Sequence, residues 1–246
     1  MTYHQVMMER TNILVLTPDR NVSVNPDGTP GNDFKGAFLP ESKRFCALHG
    51  VPPEHIERIN PTVPTADRLK VMTAAVARVG GTTPIDMVAI FSHGYAHGIQ
   101  MGLTVERLPP WMKVNAQYLS EDVVWALYCC STADGEGDQK VGPGGVGGFA
   151  QRLRDELCAA GKQHCLVFGH STAGHTTSNP YVRVFRGMIE GEPAPVDQPG
   201  AFLIDPSDPR WGKWRAMLKD RDSQPLRLQY PLMTPDELDA ALAAGS

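Results

Sequence analysis

Four continuous apolar runs constrain this chain more than any other feature: NILVL (12–16), IDMVAIF (85–91), VVWALYC (123–129) and CLVFG (165–169). A strand that is apolar at every position, rather than at alternate ones, must be buried on both faces, and helices on each side of a sheet do that. The intervening segments carry the matching helical period. TADRLKVMTAAVARVGG (65–81) spaces Leu69, Met72, Val76 and Val79 along one stripe, with Thr65 as the expected N-cap and Gly80-Gly81 as the stop. VGGFAQRLRDELCAAG (146–161) places Val146, Phe149, Leu153 and Leu157 on another. PESKRFCALHG (40–50) reads as a shorter helix opening on Pro40 and stopped by Gly50, and HIERI (55–59) as a further strand. Strand and helix in alternation imply right-handed crossovers between parallel strands. The predicted class is therefore α/β, a three-layer α/β/α sandwich with a mainly parallel sheet.

Outside this rhythm the pattern weakens. NVSVNPDGTPGNDFKG (21–36) is dense in Gly, Pro, Asn and Asp and reads as a long surface loop. Beyond Asn179, VRVF and AFLI read as short strands, and TPDELDAALAAG as a helix with Thr234 and Glu237 at capping-box spacing. The expected organisation is one α/β domain over residues 1–204 and an extension, 205–246, packed on it.

Composition excludes several partner classes. A formal charge of −4 and a pI near 6.1 over 246 residues supply no general attraction for nucleic acid or anionic lipid. No window approaches the ~18 apolar residues of a membrane span, and no signal-peptide pattern opens the chain, so the expected location is cytoplasmic, with no membrane partner. The five cysteines lack C-x-x-C spacing, which argues for reduced thiols over a disulfide framework or zinc ribbon. The sequence is silent on oligomeric state.

Two buried runs end on reactive side chains. IDMVAIF leads into Ser92-His93-Gly94, and VVWALYC into Cys130-Ser131-Thr132. The C-terminal edge of a parallel sheet is where such folds carry their chemistry, and adjacent parallel strands would bring His93 and Cys130 to the same edge. A thiol of pKa about 8.5 is mostly protonated at neutral pH, so a nucleophilic cysteine needs a base such as His93. Gly94 permits close backbone approach, and its N–H with that of Cys130 suits an oxyanion hole. The plainer alternative is a strand-end histidine that caps backbone groups. Strand alternation sends one thiol of the Cys129-Cys130 doublet into a packed face and leaves open which one.

An apolar strand ending in His-Gly, followed by one ending in a small residue and Cys, resembles the caspase-like cysteine peptidases, the group that includes caspases, metacaspases, legumains, gingipains and bacterial CHAT-domain peptidases. The resemblance covers roughly residues 12–170 and rests on VAIFSHG, WALYCCSTADG and the element order; the Gly-rich stretch after the cysteines, leading into an Ala/Leu helix, is closest to the CHAT branch. It implies a caspase-like sheet and a cysteine endopeptidase that takes a protein or peptide substrate and needs no metal or other cofactor. It also implies His93 as the catalytic histidine and Cys130, rather than Cys129, as the nucleophile. The loop after the first strand would shape the specificity pocket, where Asp19 favours a basic and Arg20 an acidic substrate side chain. His97 and His170 would line the same edge. The caspase motif Q-A-C-[RQG]-G is absent, so aspartate specificity does not carry over.

Rival readings use the same region. His93, His97, His170 and His175 suggest a zinc hydrolase, although their spacing is not that of a helical metal motif. LVFGHSTAG resembles a serine nucleophile elbow at Ser171, but only His175 follows it in the chain. A caspase-fold scaffold without activity is the non-enzymatic alternative. The segment 131–148, with its seven glycines, is expected to be mobile.

Overall fold

The first strand, β1 (Ile13–Pro18), is buried at all six positions, its apolar run Ile13–Leu16 followed by a buried Thr17 and Pro18. The computed structural model describes residues 10–20, 22–24, 30–32, 38–135, 143–173, 179, 181–187, 200–202 and 240. Around β1 lie β4 (Ile56–Ile59), β5 (Ile85–Phe91), β8 (Leu119–Tyr128), β9 (Leu166–His170), β10 (Val182–Arg186) and β11 (Ala201–Phe202). They form a seven-stranded sheet in the order β4-β1-β5-β8-β9-β10-β11. The pairs β4/β1, β1/β5, β5/β8 and β8/β9 are parallel, and β10 and β11 add antiparallel. The predicted mainly parallel α/β sheet is therefore present.

Side-chain alternation divides the core in two. One face carries Leu14, Leu16, Val88, Ile90, Trp125, Leu127 and Cys129, packed against α2 (Thr65–Gly80), α3 (Leu108–Asn115) and α4 (Phe149–Ala159). The other carries Ile13, Val15, Met87, Phe91, Tyr128 and Phe168, packed against α1 (Phe38–His49). Burying a side chain of this size contributes about 1.5–3 kcal/mol, so each strand must be apolar on both faces and the helices on the two sides follow. Phe91 and Tyr128, register partners on β5 and β8, stack with ring centroids 4.4 Å apart at 7°.

Several local expectations change. Thr65 does not cap α2 but is its first residue; Pro64 holds the cap position, and the Thr65 hydroxyl accepts a hydrogen bond from Arg68 at 2.8 Å. Val146 is 52% exposed because α4 starts only at Phe149, after Gly145 and Gly147 take left-handed turns (φ 88° and 77°). α1 begins at Phe38, two residues before Pro40, which the first turn tolerates because its N–H groups need no helical partner. Gly50 does end α1, at φ 62°. The presumed loop 21–36 contains a two-stranded hairpin, β2 (Val22–Val24) with β3 (Pro30–Asn32). α3 has no counterpart in the sequence reading. Two prolines at its start obscure the period, yet they occupy positions where a helix needs no donor.

The described parts of the 131–148 segment are pinned. Asp134 N–H donates to Ser131 O at 3.2 Å, Gly147 N–H to Gln151 Oε1 at 2.5 Å, and Gly144 bridges Gly200. Residues 136–142 lie outside the described residues, as do 205–246 apart from Ala240. The expected terminal helix falls in that region.

Candidate active site

Four parallel strands release their chains at one edge: β1 into Asp19-Arg20, β5 into Ser92-His93-Gly94, β8 into Cys129-Cys130, while β9 ends at His170. Because β5 and β8 are neighbours and Phe91 pairs with Tyr128, His93 and Cys130 each stand two residues beyond a matched pair. The closeness of the two segments is measurable at Gly94. A Cβ built there would lie 2.7 Å from the Cys130 carbonyl oxygen, 2.8 Å from Cys129 Cβ and 2.9 Å from Thr132 Cγ2. The residue after the histidine thus packs its backbone directly on the turn that carries the cysteines, and no other residue type fits without displacement.

His93 is partly exposed, and its ring meets Phe38 of α1 edge-on at 4.8 Å. The chain beyond it turns back as a hairpin, β6 (Gly94–Tyr95) with β7 (Gly98–Ile99). The His93 carbonyl accepts from Gln100 N–H at 2.9 Å, and the Gln100 carbonyl accepts from the Arg68 guanidinium of α2. Arg107 donates to Gly102 O at 3.1 Å, so two arginines clasp the turn that backs the histidine.

The two cysteines of the doublet diverge. Cys129 is 1% exposed, on the α2/α3/α4 face, its Sγ 3.5 Å from Ile90 O. Burial, with a further contribution from neighbouring Cys130, pushes its thiol well above the ordinary range, which keeps it protonated. Cys130 is partly exposed. Ser131, next in the chain, has φ 52°, a left-handed conformation uncommon outside glycine and frequent where a site holds strain. Its N–H donates to Thr172 O at 3.1 Å, and Ala133 N–H to His170 O at 2.9 Å, tying the cysteine turn to the end of β9.

The remaining predicted residues stand as follows. Asp19 and Arg20 bond each other twice, at 2.9 and 3.0 Å. The two side chains form an ion pair at the surface, Arg20 55% and Asp19 27% exposed. His97 sits exposed at the hairpin turn, its carbonyl held by Val105 N–H at 3.0 Å, with Glu106 within electrostatic reach. His170 is 2% exposed, so its ring does not line an open substrate edge as expected. Desolvation lowers its pKa to about 4, against a hydrogen bond to the Tyr181 backbone that acts the other way. Among the described residues its Nδ1 has no hydrogen-bond partner.

The rival sites fare as follows. Ser171 is 0% exposed, with its N–H bonded to Tyr181 O at 2.9 Å, so it is buried where an elbow serine must be open. His175 lies outside the described residues. Among those described, no three His, Cys, Asp or Glu side chains converge as a metal site needs. No helix among them is long and apolar enough to cross a membrane.

Sequence reasoning missed the supports of the site: Phe38, Arg68, Gln100, Thr172 and Asn179. Only Asn179, before a proline in SNPYV, carried a local turn signal. No family model, curated protein or solved structure matches this chain.

Proposed function

We propose that this chain is a caspase-like cysteine endopeptidase, a three-layer α/β/α member of that group, with a His93–Cys130 dyad acting on a protein or peptide substrate. The observation that carries the reading is the seating of Gly94 on the Cys130 carbonyl at the C-terminal edge of two adjacent parallel strands. In this mechanism the Cys130 thiol gives its proton to His93 and its sulfur attacks the scissile carbonyl. The N–H groups of Gly94 and Cys130 hold the oxyanion, and the C–N bond breaks as His93 protonates the leaving amine. Water then hydrolyses the thioester and returns the thiol. The exclusion of Cys129 by burial supports Cys130 as the nucleophile, as the group's pattern implies. Asp19 and Arg20, paired with each other at the surface just after β1, remain the candidate readers of the substrate side chain.

The test is cleavage of a proteome-derived peptide mixture followed by mass spectrometry, together with the pH dependence of Cys130 alkylation. Wild-type protein is expected to cut, and Cys130→Ala and His93→Ala to lose about 10³-fold or more in rate. Absence of cleavage by wild type, with Cys130 titrating as it does in His93→Ala, would replace this reading by the inactive scaffold.

A further inference from the structure

The turn that carries Cys130 is held from the far side of β9 by a side chain no part of the proposed chemistry uses. Asn179 is 4% exposed. Its Oδ1 accepts from Thr172 Oγ1 at 2.9 Å and from Tyr181 N–H at 3.2 Å, while its Nδ2 donates to Thr172 O at 2.9 Å. That same Thr172 carbonyl accepts the N–H of Ser131 at 3.1 Å. One carbonyl oxygen is therefore shared between the side chain of Asn179 and the peptide joining Cys130 to Ser131. Its two lone pairs are both directed, and the peptide next to the nucleophile takes its orientation from where Thr172 is held.

Ser131 shows why such a hold is needed. At φ 52° a non-glycine residue sits about 1–2 kcal/mol above its preferred conformation, and a strained turn persists only when its surroundings over-determine it. Thr172 and Asn179 supply that determination through a closed ring of hydrogen bonds from side chain to side chain and side chain to backbone. The bonds serve no strand ladder: Ser131, Thr172 and Asn179 all lie outside the strands.

We infer that Asn179 is a positioning residue for Cys130: through Thr172 it fixes the Cys130–Ser131 peptide, and so sets the placement of the nucleophile against His93. The inference rests on the dyad reading. Removing the amide frees Thr172 and lets the strained turn relax, which shifts the thiol relative to the imidazole while leaving both groups chemically intact.

The experiment measures the rate of Cys130 alkylation by iodoacetamide between pH 5 and 10 in wild type, His93→Ala, Asn179→Ala, the double variant and Thr172→Val. Folding of each is checked by circular dichroism. Asn179→Ala adds no charge. The described titratable and charged groups on the elements around Cys130, namely His93, Tyr128, Cys129, Asp134, His170, Tyr181 and Arg183, whose guanidinium donates to Ala133 O at 2.7 Å, are unchanged in it. In Asn179→Ala the rate at pH 7 is expected to fall about tenfold or more, with the high-pH plateau kept, as a misplaced but intact thiolate should behave. The double variant should match His93→Ala, because both changes act through one coupling. Thr172→Val, which removes one bond to Asn179 Oδ1, should shift the profile the same way by less, and it decides the matter if Asn179→Ala does not fold. Asn179→Ala and Thr172→Val profiles that overlay wild type while His93→Ala departs would overturn the inference and leave the dyad standing. A His93→Ala profile identical to wild type would overturn the dyad itself.

Discussion

Gly94 and Cys130, 36 positions apart in the chain, meet so closely that a Cβ on the glycine would sit 2.7 Å from the cysteine's carbonyl oxygen. The neighbouring atoms at that point are mostly backbone and Cβ atoms, which cannot rotate away. Gly94→Ala must therefore move one strand end against the other. The expected result is a loss of about 1–3 kcal/mol of stability and a fall in Cys130-dependent turnover. Urea unfolding and peptide cleavage measured on the same preparation check this; unchanged values for both would mean the contact is looser than the structure has it.

The doublet gives a second prediction. Cys129 is buried at 1% exposure and Cys130 is not. Under native conditions iodoacetamide should label Cys130 and spare Cys129, whose burial disfavours the reactive thiolate. Cys129→Ala should cost about 1 kcal/mol of stability as a small core truncation, with cleavage retained. Peptide mapping of the labelled protein distinguishes the two sites, and preferential labelling of Cys129 would reverse the assignment.

His170 makes stability depend on pH. Its pKa is 6.5 as an ordinary histidine and about 4 in the folded chain, where burial opposes the charge. Between those values the unfolded chain binds the proton and the folded one does not. The stabilising effect of a neutral His170 is thus complete above pH 6.5 and is lost as pH falls toward 4. The loss reaches on the order of 3 kcal/mol. Urea melts at pH 7, 5.5 and 4.5 should show it, and His170→Gln should flatten that part of the curve. An equal slope in both proteins would locate the titration elsewhere.

Ser131 carries left-handed strain at φ 52°. Ser131→Gly is expected to hold or raise stability by up to about 1 kcal/mol, and Ser131→Val to lower it by about 1–2 kcal/mol, since a β-branched residue tolerates that conformation worst. Thermal melts of the two variants give the comparison, and the opposite order would refute it.

The clasp behind His93 gives the last. Arg68 bonds Gln100 O and Thr65 Oγ1, with a longer contact to Pro61 O at 3.3 Å. Arg68→Ala should destabilise by about 1.5–3 kcal/mol, the range for losing a charge-assisted hydrogen bond, with partial recovery in Arg68→Lys. Hydrogen exchange at Gln100, whose N–H holds His93 O at 2.9 Å, should quicken in the alanine variant. Exchange that stays slow there would show the hairpin to be rigid without the arginine.

Sequence by itself determined the layered plan of this protein. A strand buried on both faces must be apolar at every position, so β1, β5, β8 and β9 announce themselves, and parallel order follows from the helices between them. It also determined which side chains stand at the C-terminal edge, because His93 and Cys130 directly follow those runs. Tertiary structure alone decided the rest. Burial of Cys129 and His170 depends on which face of the pleat each takes and what lies against it. The pairing of Asp19 with Arg20 depends on rotamers. Helix α3 forms where prolines hide its period, and the hold on Ser131 joins the backbone groups of Ser131 and Thr172 to the side-chain amide of Asn179, seven residues further along. Periodicity is a local property of the chain and can be read along it. A hydrogen bond between Ser131 and Thr172 is made by backbone groups that carry no side-chain signature, and only the folded register brings them within 3.1 Å.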